Sequence, residues 1–406
     1  MSGAAAAGDL WARHGNEWRE PAQIASQWRE ASETDPSLLR ASARGRFWEI
    51  LAERGLTLLV TREYEHLIMA LSLADGRPRM SFMPMPHPSG LAVDHRRGVV
   101  HVASTRNPNQ LFELEPVSGA PGPGAGAPGV ERPLVPLRST FLPGSLYLHD
   151  LALVGGRLYG NAVGHNAVVA LSAGWKPVWW PRSIEGPDGP DFSRNYLQLN
   201  SIAAGTTLRR SYFSASAATI STRFPGQRNF PVDRRGVIFS GATREPVVTG
   251  LTRPHSARLD GDRLWVANSG YGELVVIDGG SQTPVARLPG WTRGLWLDEG
   301  IAFVGTSRVI PRFRAYAPGL DVDASRCAVH ALDLSSGAVL GSLLWPSGNQ
   351  IFAIEALPAA LSDGFPFTVG RRGATASAAA RAIFYRLSTR GDATVSHGVS
   401  HGVSHG

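Results

Sequence analysis

The chain has 406 residues, of which 43% are hydrophobic and 18% charged, with 46 Gly and 29 Pro. This apolar content supports a sizeable core and excludes a mostly disordered chain, while the many Gly and Pro residues indicate frequent turns. A single cysteine, Cys327, excludes a disulfide framework and a multi-cysteine zinc or iron–sulfur site within one chain. A bound metal would therefore need His, Asn or carboxylate ligands.

The net charge of +7 would normally suggest a nucleic-acid partner. All but one of the 40 basic residues are Arg, however, and they are spread along the chain without a basic helix or a basic run. We therefore expect no nucleic-acid partner. No apolar run approaches the ~18 residues of a membrane span, and the amino terminus lacks the basic start and apolar stretch of a secretory signal, so we expect a cytoplasmic protein.

The amino-terminal and carboxy-terminal parts of the chain differ in pattern from the part between them. Residues 1–54 carry Trp, Leu, Ile and Phe at helical spacing, which predicts a helical extension of two short amphipathic helices. Residues 55–369 consist of short apolar and β-branched runs separated by turn signals, which predicts an all-β domain. Residues 370–406 end in VSHGVSHGVSHG and show no core-forming pattern, which predicts a disordered tail.

Within the β domain, a unit of several strands recurs at intervals of roughly 40 to 55 residues. Each complete copy opens with a residue pair that enters an apolar strand, and a Gly- or Asp-bearing turn leads to a second apolar strand. The copies open at 88–104, 148–163, 199–216, 254–269 and 292–307, and a lone strand follows at 351–357. The pattern predicts a six-bladed β-propeller in which strands from 55–83 complete the blade begun at 351–357. A two-sheet sandwich is the alternative, because alternating strands alone do not exclude it.

Four stretches resemble an uncharacterised "conserved hypothetical" family of bacterial propellers. They are ERGLTLLVTREYEHLIMALS (53–72), YLHDLALVGGRLYGNA (147–162), RPHSARLDGDRLWVANSGYGELVVID (253–278) and GWTRGLWLDEGIAFVGTSR (290–308). The resemblance covers about residues 50–360 and implies the propeller fold, but no activity. Where that family has His-Leu-Asn-Gly in the third copy, this chain has Gln198 and Ser201 around Leu-Asn. The Pro-His-Ser and Leu-His-Asp openings are more loosely similar to the propellers of amidoglycolate lyases and streptogramin lyases.

Equivalent positions of a propeller's inner strands form a ring around the central channel, so the register of the copies predicts which side chains meet there. One such ring is Ser89, His149, Asn200, His255, Arg293 and Phe352. His149, His255 and Asn200 could hold a divalent transition metal such as zinc, iron or copper, since imidazole and amide groups suit these ions. The planar fork of Arg293 could bind a substrate carboxylate. Hydrogen bonds to neighbouring carbonyls and a salt bridge are the structural alternatives for the histidines and the arginine.

A second set of polar residues lies near the same openings and the strand ends. Asn161 and Asn268 stand at what look like matching ends of second strands, where ligand contacts are common, although Asn also favours turns. Gln198 offers an amide in place of the family's histidine. We expect these three side chains, with Arg293, to contact substrate. His87 lies two residues before its ring position, which predicts a residue at the rim.

Other chemical motifs are missing from the sequence. It contains no P-loop, dinucleotide fingerprint, HExxH pair or Gly-x-Ser-x-Gly elbow, so we expect no nucleotide cofactor. Cys327 precedes an apolar strand and is expected to be a buried thiol. Trp175, Trp179 and Trp180 are broken by prolines, which predicts a loop over the propeller face that could dock a peptide or sugar.

Two functions remain open from the sequence. The first is a metal-dependent enzyme, a lyase, hydrolase or oxidative modifier that acts on a small molecule or peptide through His149 and His255. The second is a non-catalytic propeller that binds a peptide or partner protein. The sequence predicts neither the substrate nor the oligomeric state.

Overall fold

Six antiparallel sheets surround a common axis in the computed structural model. It describes residue 31 and residues 34–369, except for 106–108, 118–131, 143–145, 173, 194 and 222–230. The predicted tail at 370–406 and most of the predicted extension therefore lie outside the described residues. The inner strand of each sheet contacts the inner strand of the next, and the last contacts the first. This closed ring confirms the six-bladed propeller.

The blades are numbered so that blades 1 to 5 follow the five complete sequence copies, and blade 6 closes the ring. From the inner to the outer strand, blade 1 consists of Pro88–Asp94, Val99–Ser104, Gln110–Pro116 and Leu134–Phe141; blade 2 of Leu148–Val154, Arg157–Ala162, Ala167–Ala170 and Lys176–Trp179; blade 3 of Leu199–Ala203, Tyr212–Ala215, Gly236–Ser240 and Pro246–Leu251; blade 4 of Pro254–Asp260, Arg263–Asn268, Glu273–Asp278 and Ser281–Arg287; blade 5 of Trp291–Asp298, Ile301–Ser307, Ala328–Asp333 and Val339–Leu344.

Blade 6 joins the two ends of the domain, as the sequence predicts. Its inner strand, Ala353–Pro358, pairs antiparallel with Leu56–Arg62, so that Ala353 lies opposite Thr61. The sheet continues through Leu67–Ala74 and Arg77–Pro84 and ends in the short strand Phe367–Thr368. Closure by strands from both ends removes the open edges that would otherwise flank a gap in the ring.

The described part of the amino-terminal extension is not wholly helical. A 3-10 turn at Pro36–Leu39 and an α-helix at Phe47–Arg54 flank the strand Ser42–Gly45, which pairs with Val339–Leu344 as a fifth strand of blade 5. All four residues of this strand are exposed, so it lacks the apolar alternation by which strands are predicted. The following helix buries Phe47 against the propeller core.

Short elements connect the strands. The remaining 3-10 turns are Glu63–Glu65, Val163–His165, Arg182–Ile184, Leu208–Arg210, Ser269–Tyr271 and Pro311–Tyr316, and Glu185–Gly186 pairs with Gly189–Pro190 as a small hairpin. Because the strands of each blade are antiparallel, every inner strand begins at the end of the propeller where second strands finish. We call this end the mouth.

A β-bulge recurs next to the mouth. In blades 1 to 5 the inner strand has one more residue than its partner between two paired positions, just after the opening motif. A bulge bends the strand and changes the direction of its side chains. The bulge recurs at one level of the ring in five blades. The residues that open these five inner strands therefore share a side-chain direction that a regular strand would not give them.

The core lies between neighbouring blades and contains two residues singled out from the sequence. Cys327 is buried near Trp345, and burial raises the pKa of its thiol to about 12, which confirms a buried structural thiol. Trp179 ends the outer strand of blade 2 and packs on Phe213 of blade 3, with ring centroids 4.0 Å apart. The expected tryptophan loop is therefore partly an outer strand, and only Trp175 is exposed among its three tryptophans.

Candidate functional site

Ring residues from several blades meet at the mouth end of the channel. The ring of His149 lies edge-on to that of Phe352, with centroids 5.4 Å apart, and the guanidinium of Arg293 lies 3.2 Å from the centroid of Phe352. The charges of Arg293 and His149 both act on His255. Positions from blades 2, 4, 5 and 6 thus come together in the register that the sequence copies indicate.

A second ring of residues stands two positions before the first. His87, Tyr147, Gln198 and Arg253 precede Ser89, His149, Asn200 and His255, respectively, by two residues. All four have left-handed backbone conformations, with φ of 42°, 49°, 52° and 54°. Bulky residues seldom adopt this conformation, and such strain is found most often at functional sites. Its repetition in four blades places four hydrogen-bonding side chains at one level of the mouth.

Arg293 is a buried cation that lies against the ring of Phe352. It is 8% exposed, and its guanidinium makes no hydrogen bond or ion pair with any residue that the structure describes. Burial lowers its pKa to about 10, and the Glu63 carboxylate nearby opposes that shift. The Phe352 ring holds one face of the guanidinium, so its N–H edge stays available.

Arg253 is a second buried cation, 6% exposed, on the neighbouring blade. Its guanidinium lies 4.5 Å from the Tyr316 ring centroid, and its Nη1 donates to Gln198 Oε1. Its Nε is buried and has no hydrogen-bond partner among the described residues. Burial, with repulsion from Arg293, lowers the pKa of Arg253 to about 10. The Nε–H of this fork thus lacks a hydrogen-bond acceptor among the described residues.

His255 is held as a neutral imidazole between the two arginines. Its Nδ1 lies 2.8 Å from the Arg253 carbonyl oxygen and 2.9 Å from Ser269 Oγ, which assigns the proton to Nδ1 and leaves Nε2 as an acceptor. Burial, then the charges of Arg293 and Arg253, hold its pKa well below the usual value. Near neutral pH His255 therefore adds no charge to the mouth.

Deeper in the channel, three ionic side chains form a network that we call the floor. Arg258 of blade 4 donates from Nη1 to Asp150 Oδ2 of blade 2 and from Nη2 to Glu355 Oε1 of blade 6, each at 3.2 Å. The backbone N–H of Ile202 also donates to Asp150 Oδ2, at 3.0 Å. Side chains from three alternate blades can meet only across the channel. Burial raises the pKa of Asp150, and it raises that of Glu355 to about 7.

The two asparagines expected at matching strand ends are out of register. Asn268 is the last residue of its strand, whereas Asn161 is the last but one, so their side chains are on opposite faces. Asn268 Oδ1 accepts from Thr252 N, and its Nδ2 donates to Glu273 Oε2. These bonds give Asn268 a structural role at the turn. Asn161 is fully buried, and neither amide atom has a hydrogen-bond partner among the described residues.

Asn200 and Gln198 take different parts in blade 3. Asn200 Nδ2 donates to the Pro254 carbonyl at 2.8 Å and to Ser216 Oγ at 3.1 Å, while its Oδ1 has no partner in the described part of the chain. It therefore ties blade 3 to blade 4. Gln198 contacts Arg253 directly, so it can orient that guanidinium toward a ligand.

The predicted metal ligands His149 and His255 lie near positively charged arginines, which disfavours the binding of a cation. The structure shows no group of three or more His, Cys, Asp and Glu side chains placed to hold a metal within the residues it describes. His149 and His255 supply two imidazoles, and the Nδ1 of His255 is already engaged. Arg253 and Arg293 place positive charge beside His255. The zinc, iron or copper site stays a prediction.

Sequence reasoning missed Tyr147 and Arg253. Both stand two residues before a ring position, as do His87 and Gln198, which the sequence did single out. In the motifs HPS, YLH, QLN and RPH the third residue is the ring position and the first lies two positions before it. A comparison of these first residues across the four copies would have found Tyr147 and Arg253. What the sequence does not show is their backbone conformation, which is unusual for residues other than Gly.

Comparison with known proteins establishes the family. Residues 45–363 match the family described as a domain of unknown function, DUF4915. The chain belongs to this family. No curated protein matches the sequence. The family's lack of an assigned function leaves the chemistry of the mouth as the basis for inference.

Solved structures with related folds have little sequence in common with this chain. A crystal structure of a nidogen/laminin complex matches with a TM-score of 0.49 and 11% identity, over 74% of this chain and 98% of that chain. A protein of unknown function from Bacteroides caccae matches with a TM-score of 0.46 and 11% identity, over 74% of this chain and 98% of that chain. A gluconolactonase from Xanthomonas campestris matches with a TM-score of 0.40 and 14% identity, over 72% of this chain and 86% of that chain. No helix among the described residues is long and apolar enough to cross a membrane.

Proposed function

We propose that the propeller binds a small organic anion, a carboxylate, at the mouth of the channel between Arg253 and Arg293. The observation that supports this proposal is the burial of two guanidinium groups that form no ion pair with the described residues. A buried charge without a partner is unfavourable, and a bound anion would relieve that cost. Guanidinium and carboxylate also match in shape, because both are planar and can form two parallel hydrogen bonds.

The aromatic residues of the mouth favour this role because they hold the arginines without neutralising them. Phe352 supports Arg293, and Tyr316 supports Arg253. A ring against the face of a guanidinium leaves the N–H groups, which point outward in its plane, free to donate. Gln198 fixes Arg253 further through Nη1. Both forks are therefore oriented before a ligand arrives, which lowers the entropic cost of binding.

The carboxylate could belong to a free acid or to the carboxy terminus of a peptide, which keeps the non-catalytic peptide binder within the proposal. A metal-dependent enzyme is the second candidate, and the observation in its favour is the neutral imidazole of His255 with Nε2 free to accept. The adjacent arginines favour an anion over a cation at that position. We therefore place anion binding first.

Isothermal titration calorimetry tests the proposal with 3-phenylpropionate and its neutral amide. We expect the acid to bind and the amide to bind at least tenfold more weakly. Arg293→Lys and Arg253→Lys each keep a charge but lose the fork, so each should weaken binding of the acid by about 2 kcal/mol, a factor of roughly 30. Arg263→Lys is the matched control, since Arg263 is an exposed residue paired with Asp278 on blade 4.

The peptide source is tested with a short peptide whose carboxy terminus is either free or amidated. Binding only of the free form would place a peptide in the mouth. The proposal fails if acid and amide bind equally, if neither binds, or if Arg263→Lys weakens binding as much as Arg293→Lys. Stoichiometric zinc, iron or copper that disappears in a His149→Ala, His255→Ala double variant would instead support the metal-dependent enzyme.

A further inference from the structure

The carboxylate of Glu355 in the floor uses only one of its two oxygens. Oε1 accepts from Arg258, whereas Oε2 receives no hydrogen bond from the described residues. Glu355 as a whole is 9% exposed. Burial, with repulsion from Asp150, raises the pKa of Glu355 to about 7, and the charge and hydrogen bond of Arg258 oppose that shift only in part. The floor thus contains an acceptor that suits a positively charged donor.

The inner strand that carries Glu355 packs against the inner strand that carries Arg293. Gly294, which follows Arg293, packs against Ile354, which precedes Glu355: a Cβ on Gly294 would lie 2.8 Å from Ile354 Cγ1. The positive φ of Gly294, 83°, and this close approach both require Gly at the position. The inner strands of blades 5 and 6 therefore pack closely at the residues next to Arg293 and Glu355.

The charges along the channel change sign from the mouth to the floor. The mouth has two guanidiniums that form no ion pair with the described residues, while the floor has two carboxylates that share the cation of Arg258. Asp150 acts electrostatically on Arg293, so the two levels are within reach of one another. A ligand that is negative at one end and positive at the other matches both levels at once.

We propose that the ligand of the mouth is a free α-amino acid, whose carboxylate binds Arg293 and Arg253 and whose ammonium group donates to Glu355. This inference rests on the proposed function and adds the chemical class of the ligand. In a free amino acid the two charged groups are attached to one carbon, whereas in a peptide they are at opposite ends. A simple carboxylate has no group that could donate a hydrogen bond to the charged Glu355. A hydroxy acid could donate from its hydroxyl, but that hydrogen bond is uncharged on the donor side and therefore weaker than one from an ammonium group.

The pH dependence of binding separates these classes. The charged groups that act on Glu355 are Arg258 from blade 4 and Asp150 from blade 2; the inner strand of blade 1 carries only Asp94, at its far end. Loss of the Glu355 proton above about pH 7 creates the partner of the ammonium group and adds repulsion to a simple carboxylate. Affinity for an amino acid should therefore rise between pH 6 and 8, while affinity for a simple carboxylate should fall.

Three matched ligands test the inference: L-phenylalanine, 3-phenyllactate and 3-phenylpropionate, which carry an ammonium, a hydroxyl or a hydrogen on the same carbon. L-alanine, lactate and propionate form the same series for a narrow channel. By calorimetry at pH 8 we expect the amino acid to bind at least tenfold more tightly than the other two. Glu355→Gln should remove this preference while it preserves binding of 3-phenylpropionate. The opposite pH slopes give a second test in the unaltered protein, so the inference does not depend on how well Glu355→Gln folds.

The outcomes distinguish the two proposals. If 3-phenylpropionate binds through Arg293 and the amino acid binds no better, the amino-acid inference is wrong and the anion site stands. Equal affinity for phenylalanine and phenyllactate would likewise overturn the role of the ammonium group. If no member of either series binds, the anion site and the inference both fail.

Discussion

The mouth and the floor of the channel both bury charged side chains, but they compensate for that burial in different ways. In the floor, Arg258 forms hydrogen-bonded ion pairs with Asp150 and Glu355 from two other blades. In the mouth, Arg293 and Arg253 lie against aromatic rings and form no ion pair within the described part of the chain. The floor thus supplies a cation for its carboxylates from within the ring, whereas we propose that an anion from outside supplies the partner of the mouth arginines.

This difference predicts opposite effects of removing an arginine from the two levels, and it is the largest effect we expect. Arg258→Met leaves two buried carboxylates without their cation and should lower the free energy of unfolding by about 3–5 kcal/mol. Arg293→Met removes a buried charge that forms no ion pair with the described residues, and it should leave that free energy unchanged or raise it. Urea denaturation without added ligand measures both variants.

The comparison is wrong if the two variants lose similar stability. A large loss in Arg293→Met alone would show that this arginine is structural and would remove the main support for an anion site. Arg263→Met is the control for the loss of an exposed ion pair, where an effect below about 1 kcal/mol is expected.

The pH dependence of stability should also differ between the two levels. The native pKa of Glu355, about 7, lies above its ordinary value of 4.5, so the folded protein holds a proton that the unfolded chain releases in this interval. Its contribution to stability is present below pH 4.5 and declines by up to about 3 kcal/mol as the pH rises to 7. Glu355→Gln should remove this decline.

His255 in the mouth should act in the reverse direction. Its pKa is held below 6.5, so the unfolded chain takes up a proton that the folded protein resists, and stability declines as the pH falls below about 6.5. His255→Gln should remove that acid-side decline. Thermal unfolding measured from pH 4 to 8 in the two variants checks both slopes, and identical slopes in both would contradict the assignment of charge to the two levels.

A smaller effect should separate two amides that looked alike in the sequence. Gln198→Ala removes the bond that orients Arg253 and should weaken carboxylate binding by about 1 kcal/mol, roughly fivefold, with little change in stability. Asn268→Ala removes two structural hydrogen bonds and should lower stability by about 1–2 kcal/mol without a comparable loss of affinity. Calorimetry and urea denaturation of both variants measure this; the reverse pattern would refute the roles given to these residues.

Much of the fold could be predicted from the sequence because the repeats make it regular. The five openings and the lone strand at 351–357 correspond to the inner strands of six blades, and the strands from 55–83 complete blade 6. The short strand Ser42–Gly45 was not predictable, since its exposed residues show no alternation. Its place in blade 5 is set by pairing with a distant segment, which local pattern does not encode.

Less of the site could be predicted. Register alone placed His149, His255 and Arg293 around one axis, because equivalent inner-strand positions share a level. It misaligned Asn161 with Asn268 by one residue, and in a strand one residue is enough to change the face. It did not show that Gln198 would contact Arg253, since that contact joins different blades. The floor was also missed: Arg258 and Glu355 each lie three residues after a ring position, but Asp150 lies only one residue after His149, so the register does not bring the three together.

The most direct test of the central claim is to observe the arginine side chains as a carboxylate is added. Nuclear magnetic resonance of protein labelled with ¹⁵N-arginine follows the Nε–H groups, with Arg253→Lys, Arg293→Lys and Arg258→Lys used to assign their signals. We predict that 3-phenylpropionate shifts the Nε–H signals of Arg253 and Arg293 downfield and slows their exchange with water, while the signal of Arg258 changes little. Unchanged signals from both mouth arginines, or a larger change at Arg258, would contradict the assignment of the anion site to the mouth.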